Sequence, residues 1–83
     1  MSISKQNLEV LVSDTIASSL GVERASIRLD SDLEEELGFD STEMIGAIVE
    51  LERALKVSLK SIDYTKLKTP ADLVEAILDA MPA

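Results

Sequence analysis

Apolar residues recur at helical spacing in three stretches of the chain. Leu8, Leu11, Val12, Ile16 and Leu20 fall on one face of a helix predicted over Ser4–Leu20. Gly21 suits the left-handed position that ends it. A long loop from Val22 to Asp40 follows, with Ile27, Leu29, Leu33 and Leu37 as its expected anchors and Asp32 placed to cap a short turn. The second helix is predicted from Ser41 to about Lys56, with Arg53 and Lys56 in its last turns suiting the negative dipole end. Met44, Ala47, Ile48, Leu51 and Leu55 form its core stripe. Ile45 and Val49 lie off that stripe, on the side shared with Thr42, Gly46 and Arg53 and flanked by Glu43 and Glu50. An apolar patch rimmed by acids in this way reads as a docking surface.

Val57 and Leu59 alternate with polar residues, as do Ile27 and Leu29, but two such short runs make at most a marginal ribbon, and both are read as loop. Ile62–Leu67 is expected to form a short helix with Asp63 near its start. Thr69-Pro70-Ala71-Asp72 opens the last helix: threonine is a good N-cap, proline suits the first position, and Asp72 replaces the usual glutamate of a capping box. Leu73, Ala76, Ile77 and Met81 mark its buried face. The pattern predicts an all-α fold, a small bundle of three main helices and one short one, in a single domain over residues 1–83.

Composition sharpens this picture. A chain of 83 residues buries only about 60% of its unfolded surface, so modest stability is expected. With Phe39 and Tyr64 the only aromatics, the core is expected to be aliphatic. No cysteine is present, which rules out disulfides and thiolate chemistry and fits a reducing compartment. The segment Met1-Ser2-Ile3-Ser4-Lys5-Gln6 lacks the apolar run of a signal peptide, and no stretch reaches membrane-spanning length. A soluble, monomeric, cytoplasmic protein is expected.

The net charge of −8 disfavours nucleic acid and anionic membrane surfaces as partners. Its distribution says more. Nine acids and no base lie between Asp30 and Glu52, whereas Arg53 to Lys68 holds five bases and one acid, Asp63. The acid block surrounds Ser41 and is read as an electrostatic landing site for basic partners.

Ser41 carries the candidate chemistry. It follows the turn Leu37-Gly38-Phe39-Asp40 and stands at a helix start, where unpaired backbone N–H groups and the positive dipole end favour an anion. The chain has no histidine, and no lysine lies near Ser41 in sequence, so nothing is available to activate this serine as a nucleophile. A plain N-cap and an attachment point are the readings left. Calcium binding by the acids from Asp30 fails as a dedicated loop, because Glu35 and Ser41 stand where glycine and glutamate are needed. Acid–base catalysis by Glu34 and Glu36 would need a pKa-perturbing pocket that a small aliphatic bundle has little room to build.

The chain resembles the acyl carrier proteins over nearly its whole length. The resemblance is carried by Ser19-Leu20-Gly21-Val22, by Asp32-Leu33 leading to Leu37-Gly38-Phe39-Asp40-Ser41, by Leu51-Glu52 and by Thr69-Pro70. It implies that a phosphopantetheinyl transferase moves 4′-phosphopantetheine from coenzyme A onto Ser41, and that the chain is a carrier and not an enzyme. It also implies acyl-loading and acyl-processing partners with basic docking surfaces, met by Asp40, Glu43 and Glu50 through charge and by Thr42, Ile45, Gly46 and Val49 through contact.

Three features depart from the family pattern. Thr42 follows the serine where leucine or methionine is usual. Gly46 stands where fatty-acid carriers usually have a partner-binding acid. Lys60, Lys66 and Lys68 make the region after the second helix basic. Together they point to a specialised polyketide, hybrid or lipid pathway. An aminoacyl or peptidyl carrier, and an unmodified acidic helical adaptor, are the alternative readings.

Overall fold

The computed structural model describes residues 3–81. The ends of the expected domain, residues 1, 2, 82 and 83, lie outside it. Three α-helices are present: α1 (Lys5–Leu20), α2 (Ser41–Leu55) and α3 (Pro70–Ala80), with 3₁₀ turns at Arg24–Ser26 and Tyr64–Lys66 and no strand among the described residues. α1 packs against both α2 and α3. The all-α bundle is as the apolar periodicity predicts.

Each helix boundary has a local cause. Ser4 caps α1 by accepting from the backbone N–H of Asn7. At the other end Gly21 adopts φ +70°, and the Val22 N–H donates to the Ala17 carbonyl at 3.0 Å, the longer bond of a Schellman motif. α3 opens with the expected reciprocal box: Thr69 accepts from the Asp72 N–H, and the Asp72 carboxylate accepts from the Thr69 N–H. α2 ends one residue earlier than expected, because Lys56 has left the helix for the left-handed region at φ 57°.

The core is built from Leu8, Val12 and Ile16 of α1, Met44, Ala47, Ile48 and Leu51 of α2, and Leu73, Val74 and Ile77 of α3. Leu59 and Leu33 enter it from the connecting segments. Two assignments shift. Val74 is buried where the sequence pattern points to Ala76 and Met81, which are only half-buried. Phe39 is buried as well, so the core is not wholly aliphatic: the turn before α2 swings this one ring inward.

The expected short helix at Ile62–Leu67 is a single 3₁₀ turn, Tyr64–Lys66. The Asp63 carboxylate accepts from both the N–H and the hydroxyl of Thr65, two residues on. That local turn replaces the four-residue spacing a helix needs. The same two contacts hold the Asp63 carboxyl below its ordinary pKa, the Thr65 hydroxyl contributing most.

Candidate functional site

The approach to α2 is a tightly bonded turn. The Asp32 carboxylate accepts from the N–H groups of Glu34 and Glu35 at 3.1 and 2.8 Å, and the Glu36 carboxylate reaches back to the Asp32 N–H at 2.8 Å. This reciprocal arrangement closes one helical turn, which Gly38 ends at φ +66°. A side chain there would be strained whatever the space around it. The chain then runs through buried Phe39, whose N–H donates to the Leu33 carbonyl at 2.7 Å, to Asp40 and Ser41.

Asp40, not Ser41, is the N-cap of α2. Its carboxylate accepts from the Glu43 N–H at 3.0 Å. Ser41 is the first helical residue, exposed, and its hydroxyl makes no hydrogen bond among the described residues. The N-cap alternative for Ser41 is therefore removed, because its neighbour occupies that role. What remains is an accessible primary hydroxyl on a rigid base at the positive end of a helix.

The second stripe of α2 lies as expected. Ile45 is 47% exposed and Val49 39%, against 9% for Ile48 and 1% for Leu51. Thr42, Gly46 and Glu50 are exposed around them. A Cβ on Gly46 would meet nothing, so no internal packing requires glycine there. The acid block is less uniform than its sequence implies. Asp32, Glu36 and Asp40 hold backbone N–H groups, and Glu43 accepts from the Ser19 hydroxyl at 3.3 Å. Asp30 pairs with Arg28. Glu52 accepts the Leu59 N–H at 2.7 Å, fixing the loop after α2. Within the block from Asp30 to Glu52, only Glu34, Glu35 and Glu50 have carboxylates without an internal partner among the described residues. The Glu52 bond had no sequence signal beyond an acid near a helix end.

A cleft of about 420 Å³ opens beside Ser41. Its floor is Leu33, Phe39, Met44 and Leu67. Asp32, Glu34 and Glu35 from the long loop and Tyr64, Thr65 and Lys68 from the segment before α3 also line it. Asp40 and Ser41 complete the lining. Periodicity alone does not reveal this cleft, because the two segments that line it are brought together by backbone bonds between loops: Leu33 N–H to Lys68 carbonyl at 2.8 Å and, nearby in sequence, Ala71 N–H to Leu29 carbonyl at 3.0 Å.

The structure thus sets an exposed serine, its hydroxyl without a hydrogen bond among the described residues, at a helix start beside an open cleft. The family model described as "Phosphopantetheine attachment site" matches residues 10–77. The chain is 33% identical over 66 residues to the acyl carrier protein of Phytoplasma mali (strain AT), covering 80% of this chain and 79% of that one. It is 32% identical over 75 residues to the acyl carrier protein of Exiguobacterium sibiricum, covering 90% and 95%. Against acyl carrier protein 2 of Pseudomonas aeruginosa it is 29% identical over 76 residues, covering 92% and 96%. The chain belongs to the acyl carrier protein family. Its prosthetic group is 4′-phosphopantetheine, and it is a carrier rather than a catalyst. A carrier domain of this kind meets a phosphopantetheinyl transferase and acyl-handling enzymes. No helix among the described residues is long and apolar enough to cross a membrane.

Proposed function

We propose that Ser41 bears the 4′-phosphopantetheine arm and that this chain carries an acyl group for a polyketide, hybrid or specialised lipid pathway. The observation that carries the reading is the division of labour at the start of α2: Asp40 caps the helix, so the Ser41 hydroxyl is exposed and free of internal bonds. The thiol of the arm, when attached, supplies the atom that holds the acyl group as a thioester. The protein's own residues present the attachment point and are recognised. Glu50, Glu34 and Glu35 attract basic partners, with the charges of Asp40 and Glu43 close by, while Thr42, Ile45, Gly46 and Val49 offer the contact surface. Thr42, Gly46 and the lysines after α2 favour a specialised pathway over housekeeping fatty-acid synthesis. The chain acts as a monomer in the cytoplasm.

The test is incubation with coenzyme A, magnesium and a broad-specificity phosphopantetheinyl transferase, followed by mass spectrometry of the intact protein and its peptides. One phosphopantetheine on Ser41 is expected, and none on Ser41→Ala, whose helical circular dichroism should match the parent. Modification of a different serine would overturn the assignment.

A further inference from the structure

We propose that Arg53, Lys56 and Lys60 form a second charged contact at the far end of the outward stripe of α2, and that it fits an acidic patch on an acyl-handling partner. The inference rests on the reading of Ile45 and Val49 as the contact surface. Three observations carry it. The first is pairing. All three bases that precede α2, Lys5, Arg24 and Arg28, are held in ion pairs within the chain. Arg53, Lys56 and Lys60 are exposed and make no ion pair among the described residues. The second is position. Arg53 follows Val49 by four residues and Gly46 by seven, so it continues the outward stripe. Helical rise sets it about 18 Å along the axis from Ser41. Lys56 ends the helix, and the bond from the Leu59 N–H to the Glu52 carboxylate folds the following loop back, which keeps Lys60 beside the last turns. The third is the backbone at Lys56. Its φ of 57° is the only positive φ of a non-glycine residue among the described residues. Helices more often close on glycine in that conformation, and a lysine there keeps a cation at the helix end against backbone strain.

The negative dipole end favours the charges of Arg53 and Lys56, but that field falls off within the last turn and gives no account of Lys60. α2 therefore offers opposite signs at its two ends, with apolar contact between them. Asp40 and Glu43 stand at its start beside Ser41, and Arg53 and Lys56 at its finish. A partner complementary to this face has a basic patch where the serine enters and an acidic patch about one helix length away. Such a pair of patches fixes which way round the carrier docks. Reversed along α2, like charges would meet at both ends.

The test uses an acyl-loading enzyme that acylates the phosphopantetheine-bearing protein, with the arm on Ser41 checked by mass spectrometry. Transfer rates at low and raised salt are compared for the parent, Arg53→Gln, Lys60→Glu and Lys5→Gln, beside a thermal melt of each. The sign of the effect decides. If only the net charge of −8 steers, removing a base makes the carrier more negative and speeds transfer to a basic partner. With an acidic patch opposite the end of α2, Arg53→Gln and Lys60→Glu should instead slow transfer by about three- to tenfold at low salt. The loss should shrink as salt is added. Lys5→Gln changes the net charge as Arg53→Gln does, but at a residue paired with Glu75 of α3, and should not slow transfer. Unchanged or faster transfer by the Arg53 and Lys60 variants, while Ile45→Ala and Glu50→Lys slow it, would overturn the second contact and leave the outward stripe standing. Transfer indifferent to all four substitutions would overturn both readings.

Discussion

The Asp40 carboxylate accepts the backbone N–H of Glu43 at 3.0 Å, and this one bond leaves Ser41 with nothing structural to do. The residue before Ser41 supplies both the end of the helix and a negative charge, so the hydroxyl beside it can be altered without disturbing the cap.

Asp40→Ala removes the cap and should cost about 0.5–2 kcal/mol of stability in denaturant melts. Asp40→Asn keeps an acceptor of equal capping quality and should cost less, losing only the charge at the helix start. The asparagine variant thereby separates the two jobs. Its melt should lie near the parent's, while its association with a basic partner slows.

The two stripes of α2 should respond differently to alanine. Ile48 and Leu51 face the core, and replacing either should cost about 2–5 kcal/mol. Ile45 and Val49 face outward, and replacing either should cost well under about 1.5 kcal/mol. Partner transfer rates measured beside thermal melts should fall for the second pair at nearly unchanged stability. Unfolding of Ile45→Ala as readily as Ile48→Ala would mean that the outward patch is core.

Gly46 is exposed, sits mid-helix, and has open space where a Cβ would go. Gly46→Ala should therefore stabilise the protein by up to about 1 kcal/mol, read as a raised melting midpoint. A loss of stability would show that the fold itself needs this glycine.

Glu50 and Glu52 are close in sequence and differ in role. Glu52 accepts the Leu59 N–H at 2.7 Å, and Leu59 is 1% exposed. Glu52→Ala should cost about 1–3 kcal/mol, because it strands a backbone donor beside the core. Glu50→Ala should change stability by no more than about 0.5 kcal/mol. It should instead lower the partner on-rate, most clearly at low salt. Equal effects of the two substitutions on stability would remove the distinction.

The helices were legible because their signals are local. Leu8, Val12 and Ile16 repeat at helical spacing, and Thr69 with Asp72 closes a capping box that can be read from four residues. The split between Ile48 and Ile45 on α2 was equally plain from angular position alone. The parts that eluded periodicity depend on who accepts from whom. Both Asp40 and Ser41 are competent caps, and only the turn through Gly38 decides that Asp40 does the capping. Asp63 and Thr65 bond to each other across two residues and shorten an apparent helix to one 3₁₀ turn. Phe39 is buried by the same turn that exposes its neighbours. The segments that line the cleft lie far apart in the chain, so no window of sequence contains them both.

The bonds from Leu33 to the Lys68 carbonyl and from Ala71 to the Leu29 carbonyl moor the long loop to the start of α3, not to α2. Their amide protons should exchange with solvent as one cooperative unit, on a slower clock than the exposed turns around them. Any widening of the cleft must work against that mooring. Ser41 and Met44 of α2 line the cleft while the bonds that hold its loop run to Lys68 and Ala71, so the loop can shift only together with the start of α3.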